Sequence, residues 1–330
     1  MVKAVKVFES PEIWQIPVEL PQSPLKNLNS YVICTPEKNL VIDTGFNRAE
    51  CREALWAGIR EIGLDMSKTA LFITHGHTDH MGLVQDFVDQ GCTVYMNEED
   101  HLRFRSILEG SVRARMDALY RTEGFPEEEI ARQGKENQNR RYIPTKFFPA
   151  TGLRDGDKIM LGDVEAVCLH TPGHSPGHMV LYLPESQVLF SGDHVLFDIT
   201  PNIGVWLGVR DSLSDYLSSL RKTKELPVKV TLPAHRGTCK KTLYERIDEL
   251  IGHHEERLEE IEAVIEAYPG TDAYFVAKNI TWSGRGLAWD AFPAHQKWFA
   301  MGETLAHIYY LVNSGRVVRE ETETRISYYK

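Results

Sequence analysis

Short apolar runs alternate with segments of helical spacing along the first hundred residues. Strand-like runs rich in β-branched residues are predicted at 2–8, 13–18, 30–34, 40–42, 71–73 and 93–96. Residues 49–62 place their apolar side chains on one helical face, and Gly63 ends that helix. A second helix is predicted over 79–90. This alternation predicts an α/β protein whose sheets are covered by helices.

The pattern changes between about residues 98 and 141, where helical spacing continues without a strand-like run. Residues 108–119 predict one helix, and Pro126 with the acids after it predicts the start of another. We interpret this region as a helical insertion over the mouth of a site. Its arginines either face an anionic substrate or pair with nearby acids on a solvated face, and the near-equal numbers of acids and bases favour pairing. They are Arg103, Arg105, Arg113, Arg115 and Arg121.

Strand-like runs return further along the chain, at 158–161, 164–169, 179–183, 188–190 and 228–232. From about residue 251 the apolar spacing predicts three helices and a terminal hairpin of strands 317–318 and 326–328. A chain of 330 residues is about two domains by length. We therefore expect one domain over residues 1–250 and a second, helical one over 251–330.

Composition and charge narrow the class of protein. The net charge of −10 argues against a general nucleic-acid or anionic-membrane surface. No apolar run approaches the length of a membrane span, and the first ten residues lack the apolar core of a signal peptide. The five cysteines are scattered, with no C-x-x-C pair, as expected of reduced thiols. These features predict a cytoplasmic protein that acts on a small molecule.

The chemistry is concentrated in residues 74–80, which follow the apolar run 70–73. This stretch holds His75, His77, Asp79 and His80. Imidazole and carboxylate side chains together suit zinc and related metals in hydrolytic sites. In a turn after a strand, two histidines spaced two residues apart can converge on one ion. The alternative, a polar loop with chance histidines, does not explain why the same pattern recurs.

Apolar strands run into small-residue turns with metal-capable side chains at three later positions. These turns carry His174, Asp193 and His235. The run 40–42 similarly ends at Asp43, where an Asx-turn is the alternative to an acceptor for a ligand histidine. Strand ends of stacked sheets share an edge, so these side chains are expected to meet.

The motifs H-x-H-x-D-H, T-P-G-H, G-D and P-x-H together resemble those of the metallo-β-lactamase superfamily, over residues 1 to about 250. The resemblance implies a four-layer αβ/βα sandwich with a metal site along one edge. It implies seven ligands for two divalent ions: His75, His77 and His174 for the first, Asp79, His80 and His235 for the second, and Asp193 as the bridge. Zinc is the expected metal, and iron and manganese fit the same ligands.

Two such ions about 4 Å apart can hold a bridging hydroxide that attacks a carbonyl carbon or phosphorus. Asp79 and Asp193 are then the catalytic carboxylates, with Asp79 taking the proton or orienting the nucleophile. His178 is expected to bond to a ligand or lie near the substrate. Thr200 and Asn202 either line the cleft or belong to a capped loop.

The segment after Asp193 resembles glyoxalase-II-like and lactamase-β-like hydrolases, although no counterpart of the cationic glutathione-binding residues is evident. We expect a dinuclear hydrolase of a small ester, thioester, lactone or amide. The alternatives are a phosphodiesterase or endoribonuclease, and an iron-dependent oxidoreductase such as a sulfur dioxygenase. A mononuclear iron dioxygenase leaves the second site unfilled, so the number of metals distinguishes these classes.

The segment 297–307 resembles the C-terminal winged-helix region of the lactamase-β-like group. From residue 251 onward there are eight Lys and Arg against twelve Asp and Glu, the wrong sign for a nucleic-acid surface. We expect this unit to pack on the hydrolase domain or to form a homodimer. Its aromatic residues are candidates for covering the cleft, namely Trp282, Trp289, Phe292 and Trp298.

Overall fold

The computed structural model describes residues 4–136, 141–282, 289–323 and 325–330. Two β-sheets lie face to face, and helices cover the outer face of each, as the four-layer αβ/βα expectation requires. Apolar side chains from both sheets fill the space between them, including Ile42, Phe72, Leu181 and Phe190. No helix among the described residues is long and apolar enough to cross a lipid bilayer.

The first sheet has seven strands in chain order: β1 Val5–Phe8, β2 Glu12–Glu19, β3 Asn27–Cys34, β4 Asn39–Ile42, β5 Thr69–Phe72, β6 Thr93–Asn97 and β7 Thr151–Leu153. Strands β1 to β4 pair antiparallel, whereas β4 to β7 pair parallel. The carboxyl ends of β4, β5 and β6 therefore lie at one edge of this sheet.

The second sheet has the order β12-β11-β10-β9-β8. Its strands are β8 Lys158–Leu161, β9 Val164–His170, β10 Met179–Leu183, β11 Val188–Gly192 and β12 Val230–Pro233. Strand β10 is antiparallel to both β9 and β11, and β11 is parallel to β12. The carboxyl ends of β9, β11 and β12 consequently share an edge, which is where the later candidate ligands follow.

Helices α1 Ala49–Ile62, α2 Thr78–Met81 and α3 Val84–Asp89 belong to the layer over the first sheet, and α7 Ser212–Lys224 and α8 Leu243–Ala267 to the layer over the second. The predicted insertion contains α4 Glu98–Leu108, α5 Ser111–Thr122 and α6 Glu127–Glu136, and its residues 137–140 lie outside the described residues. The chain ends with α9 Ala273–Asn279, α10 Ala294–Asn313 and the hairpin β13 Val318–Glu321 with β14 Ile326–Tyr329.

Two predicted helices are interrupted. The predicted helix 79–90 is two short helices, because Thr44 occupies the break. The Thr44 N–H and hydroxyl both donate to the His80 carbonyl at 2.8 Å, and the Leu83 N–H donates to the Thr44 hydroxyl at 3.2 Å. In an uninterrupted helix, the His80 carbonyl and the Leu83 N–H would instead form hydrogen bonds within the helix. The predicted helix 108–119 breaks at Gly110, whose φ of 79° is left-handed.

The predicted helices and hairpin after residue 251 are present, and the winged-helix assignment stays a prediction. The expected domain boundary at 250/251 falls inside α8, which contributes buried residues on both sides of it, such as Ile247 and Ile261. Strand β7 and helix α7 were not predicted from the sequence. The buried positions of α7 include serine and threonine as well as leucine. The sequence therefore does not show a continuous apolar stripe there.

The insertion and the C-terminal unit share one apolar core with α7 and α8. The ring of Tyr120 lies 4.0 Å from that of Trp298, and Phe125 contacts Trp298 edge-on. The four C-terminal aromatic residues that were candidates for covering the cleft all contribute to this core. Three of the insertion arginines pair with acids, as favoured above: Arg103 with Glu99, Arg113 with Asp117 and Arg121 with Glu127.

A buried ion pair joins the insertion to α10, with Lys297 Nζ 2.6 Å from Glu129 Oε1. Both side chains are less than a tenth exposed. We predict that Lys297→Met lowers the free energy of unfolding by up to about 3–5 kcal/mol. The buried Glu129 carboxylate would keep only the guanidinium of Arg132 near it, at 3.7 Å. Adding Glu129→Met should recover most of this loss in urea unfolding. A single variant as stable as the wild type would contradict the prediction.

Glu123 is a buried carboxylate at the end of α5 that accepts hydrogen bonds from Tyr328 and Tyr309 at 2.8 and 3.2 Å. Burial raises the pKa of Glu123 from its ordinary 4.5 to about 7, despite these donors. The folded chain therefore binds its proton more tightly, so stability falls as pH rises from about 4.5 to 7. Glu123→Gln should remove roughly 2–3 kcal/mol of the difference in unfolding free energy between pH 5 and pH 8. If the unfolding free energy of the wild type and of Glu123→Gln changed identically with pH, the result would contradict this prediction.

Candidate metal centre

Seven candidate ligands converge where the carboxyl ends of strands from both sheets meet. His75, His77, Asp79 and His80 follow β5, and the second sheet contributes the rest: His174 after β9, Asp193 after β11 and His235 after β12. Three overlapping groups have ligand atoms within 4.8 Å of one another: His75, His77 and His174; His75, His80 and Asp193; Asp79, His80 and His235. The residues singled out from the sequence are thus brought together in one cluster.

The first half of the cluster consists of His75, His77 and His174. His75 Nε2 lies 2.8 Å from His77 Nδ1, and the ring centroids of His77 and His174 are 4.6 Å apart. The Thr74 hydroxyl donates to Asp43 Oδ2 at 2.8 Å, so it accepts from His75 Nδ1 at 3.0 Å. His75 therefore presents an unprotonated Nε2 to the cluster, as a metal ligand must.

The second half consists of Asp79, His80 and His235, and Asp193 lies between the halves. Asp193 Oδ2 is 3.5 Å from His174 Nε2 on one side. Its Oδ1 is 3.4 Å from His235 Nε2 and 3.6 Å from His80 Nε2 on the other. Asp193 therefore has one oxygen toward each half of the cluster. Asp79 Oδ2 lies 3.4 Å from His235 Nε2.

Four buried polar atoms in the cluster have no hydrogen-bond partner among the described residues: His80 Nε2, His174 Nε2, His235 Nε2 and Asp193 Oδ1. Burying such an atom without a partner costs about 1–3 kcal/mol. All four atoms belong to side chains that point into the same space, and all are nitrogen or oxygen donors of the kind that zinc, iron and manganese accept. The residues present therefore fit divalent metal ions.

The two halves shift the pKa values of their histidines in opposite directions. Burial, reinforced by neighbouring histidines, holds the pKa of His75 well below its usual value and lowers that of His174 to about 4. Burial also opposes a charge on His80, but the carboxylates of Asp43, Asp193 and Asp79 outweigh it and raise the pKa of His80. His80 and His235 lower the pKa of Asp79 to about 2 against the effect of burial. Loading a metal into the second half is therefore expected to release protons.

Backbone carbonyls and one carboxylate orient the ligand rings. His174 Nδ1 donates to the Asn202 carbonyl at 2.9 Å, and His235 Nδ1 donates to the Asn27 carbonyl at 2.8 Å. His80 Nδ1 donates at 2.8 Å to Asp43 Oδ2. In all three histidines the bond leaves Nε2 facing the cluster, which is how outer partners fix metal ligands.

His178 supports the backbone at Asp193 rather than joining the cluster directly. Its Nε2 accepts the Asp193 backbone N–H at 3.1 Å, and its Nδ1 bonds the Thr171 hydroxyl at 2.9 Å. Gly192 must lack a side chain there, because a Cβ would lie 2.7 Å from His178 Nε2. The ring of His194, the residue after Asp193, bonds to the Thr223 hydroxyl at 3.0 Å.

Asn202 and Thr200, the two residues that could line the cleft, lie in different surroundings. The Asn202 carbonyl contacts His174, and its amide donates to Glu303 Oε2 at 3.1 Å. Thr200 is exposed two residues earlier. Trp206, which sequence reasoning did not single out, places its ring 5.8 Å from that of His77. It lies in a loop without regular secondary structure, so no periodic signal could have identified it.

Asp100 is the main site residue that sequence reasoning missed. It lies in the first turn of α4 and is 3% exposed. Its Oδ2 accepts the Gly76 N–H at 2.8 Å and the Ser175 hydroxyl at 2.6 Å, and its Oδ1 accepts the Gly177 N–H at 2.7 Å. One carboxylate thus holds the loop of His75 and His77 against the loop of His174. The sequence signal that identified Asp43 is an acid soon after the end of a predicted strand. The same signal is present at Asp100.

The chain is similar in sequence and in structure to several known proteins. A crystal structure of a metallo-beta-lactamase family protein from Thermus thermophilus is 28% identical, with a TM-score of 0.80 over 96% of this chain and 98% of that one. The lactamase-like protein adaB of Aspergillus niger is 27% identical over 73% of this chain and 60% of its own length. Human acyl-coenzyme A thioesterase MBLAC2 is 29% identical over 64% of this chain and 73% of its own.

Two family models match separate parts of the chain. Residues 289–330 match the metallo-beta-lactamase-like C-terminal domain. Residues 25–235, which carry every candidate ligand, match the metallo-beta-lactamase superfamily. The strand-end cluster, the two-sheet sandwich and these matches agree: the chain belongs to the metallo-beta-lactamase superfamily.

Proposed function

We propose that this chain is a dinuclear metal-dependent hydrolase of a small acyl substrate, with a thioester as the favoured class. The observation that carries the proposal is the set of four buried, unpartnered ligand atoms around Asp193 in the described part of the chain. His75, His77 and His174 would hold one ion; Asp79, His80 and His235 would hold the other; Asp193 would contact both. We expect zinc, with iron and manganese as alternatives.

Two divalent ions bound there would lower the pKa of a shared water toward 7 and polarise the scissile carbonyl. The residues of the chain hold this arrangement in place. Asp43 and the Asn27 and Asn202 carbonyls fix the ligand rings, and His178 fixes the backbone at Asp193. Asp79 lies in the first turn of α2 with one oxygen toward His235, where it can orient the attacking water.

The leaving group distinguishes a thioester from the other acyl substrates. As metal ligands, Asp79 and Asp193 would be ionised, so neither could donate a proton to a departing group. A thiol has an ordinary pKa near 8.5, so a thiolate leaves near neutral pH with little help from an acid. An alkoxide or an amine needs a proton. The thioesterase name of the human relative supports the same substrate class.

A substrate panel tests the proposal on zinc-loaded protein. We expect acyl-coenzyme A thioesters to give the highest kcat/KM among thioester, lactone, aryl ester and phosphodiester substrates, with thiol release measured by a chromogenic disulfide. Chelation should abolish turnover, and added zinc should restore it. A phosphodiester as the fastest substrate would overturn the acyl proposal in favour of a phosphodiesterase.

A further inference from the structure

The C-terminal unit reaches the three-histidine half of the site through two consecutive hydrogen bonds. His174 Nδ1 donates to the Asn202 carbonyl at 2.9 Å. The side-chain amide of the same residue, Asn202 Nδ2, donates to Glu303 Oε2 on α10 at 3.1 Å. One residue of the loop after β11 therefore connects a candidate metal ligand to the C-terminal helix.

Glu303 is itself held in place on α10. Its side chain is only 13% exposed, and its Oε1 lies 4.0 Å from Nε of Arg257 on α8. Arg257 is fixed in turn, since its guanidinium lies over the ring of Trp282 and donates to the Thr281 carbonyl. The backbone carbonyl of Glu303 accepts from His307 Nδ1 at 2.7 Å. These contacts hold the Glu303 carboxylate, which accepts the hydrogen bond from the Asn202 amide, in one position.

The loop and α10 also lie close together beside these bonds. A Cβ on Gly302 would lie 3.7 Å from the Gly204 Cα and 2.7 Å from the Tyr120 hydroxyl oxygen, so this position has no room for a side chain. The other side of the loop is tied to α7, because the Ser212 hydroxyl donates to the Gly204 carbonyl at 2.6 Å. The Asn202 carbonyl therefore cannot shift without disturbing α10 or α7.

The other ring-orienting contacts do not involve the C-terminal unit. His80 is oriented by Asp43 after β4, and His235 by the Asn27 carbonyl in β3. With the bond of His174, these are three hydrogen bonds from histidine Nδ1 atoms, all between described residues. Of the three, only the one from His174 is linked to α10. A disturbance of α10 at Glu303 is thus expected to reach one half of the cluster and not the other.

We propose that Glu303 and Asn202 are positioning residues that hold His174 for the three-histidine half, so that the C-terminal unit sets the metal affinity of that half. This inference rests on the proposed function, because it takes His174 as a metal ligand. It assigns the C-terminal unit a role at the metal centre that requires neither nucleic acid nor a second subunit.

The test is a zinc titration of the metal-free full chain in competition with a chromophoric chelator, which resolves the two affinities. Glu303→Ala and Asn202→Ala should each weaken one affinity by about 10- to 100-fold and leave the other unchanged. Glu303→Gln keeps an oxygen that can accept the Asn202 amide, so it should restore the affinity. The cobalt-loaded alanine variants should show an altered visible spectrum, since one ligand is displaced.

Thr304→Val is the matched control, because Thr304 is buried one residue along α10 and its hydroxyl donates to Ala300 within the helix. It should leave both affinities unchanged. The inference is overturned if both alanine variants bind both ions like the wild type, or if glutamine fails to restore binding, or if both affinities fall together. If the wild type binds no zinc, the proposed function fails instead.

Discussion

Asp193→Ala is expected to lower kcat/KM by about three orders of magnitude, the largest effect of any single substitution in this chain. Asp193 is the carboxylate with oxygens facing both halves of the cluster, at 3.5 Å from His174 and 3.4 Å from His235. In the proposed dinuclear centre this substitution would remove the one carboxylate that faces both ions, and with it the support for a water held between them. Steady-state kinetics and metal analysis of the same preparation measure both consequences.

Asp198→Ala is the matched control for this substitution. Asp198 lies five residues further along, has a half-exposed side chain and faces Arg236 at 3.8 Å rather than the cluster. It should keep its metals and its turnover. An Asp193→Ala protein that retained two ions and full activity would contradict the mechanism.

Asp100→Ala is expected to have the second-largest effect, on both stability and metal binding. It would leave three donors without an acceptor: the buried Ser175 hydroxyl and Gly177 N–H, and the half-buried Gly76 N–H. At about 1–3 kcal/mol for each buried unsatisfied group, we expect a loss of at least about 2 kcal/mol in the free energy of unfolding. Zinc affinity should fall as well, because the loops that carry the first three histidines are no longer held together.

Asp86→Ala separates these two effects. Asp86 also accepts several hydrogen bonds, from Arg52 and Trp56, but it lies on α3 away from the cluster. It should lower stability without changing zinc affinity, as measured by urea unfolding of the metal-free protein and by chelator competition. If Asp100→Ala lost stability but bound zinc as tightly as Asp86→Ala, its role would be confined to folding.

The cluster of candidate ligands could be predicted from the sequence because each candidate follows a strand that is recognisable locally. An apolar run, a small-residue turn and a histidine or acid are contiguous in the chain, as in residues 70–80. Strand direction within each sheet then places the ends of such segments at one edge of that sheet, and the packing of the two sheets brings the two edges together. The same reasoning placed Asp43, which follows β4 beside β5.

Features that depend on distant contacts were not predictable in the same way. The break between α2 and α3 follows from Thr44, more than thirty residues earlier, which takes hydrogen bonds from the helix. The contact of Glu303 with Asn202 joins positions about a hundred residues apart. Nothing in the local pattern around residue 303, a polar position on an amphipathic helix, distinguishes it from a solvated acid.

The boundary between the two expected domains shows the same limit. The sequence predicts the boundary at residue 250, where strand-like runs give way to helices, and α8 runs through this position from 243 to 267. The apolar face of that helix packs in one core with both α7 and the C-terminal helices. Helical periodicity identifies an apolar face, yet it does not say which neighbours will cover it.

The most direct test of the dinuclear assignment is a metal count. Metal-free protein titrated with zinc is expected to bind two ions per chain, and thioester hydrolysis should appear with the filling of both sites. Protein purified without added metal is expected to carry the same two positions filled by divalent ions. A single tightly bound iron per chain, with oxygen consumption in place of hydrolysis, would contradict the account.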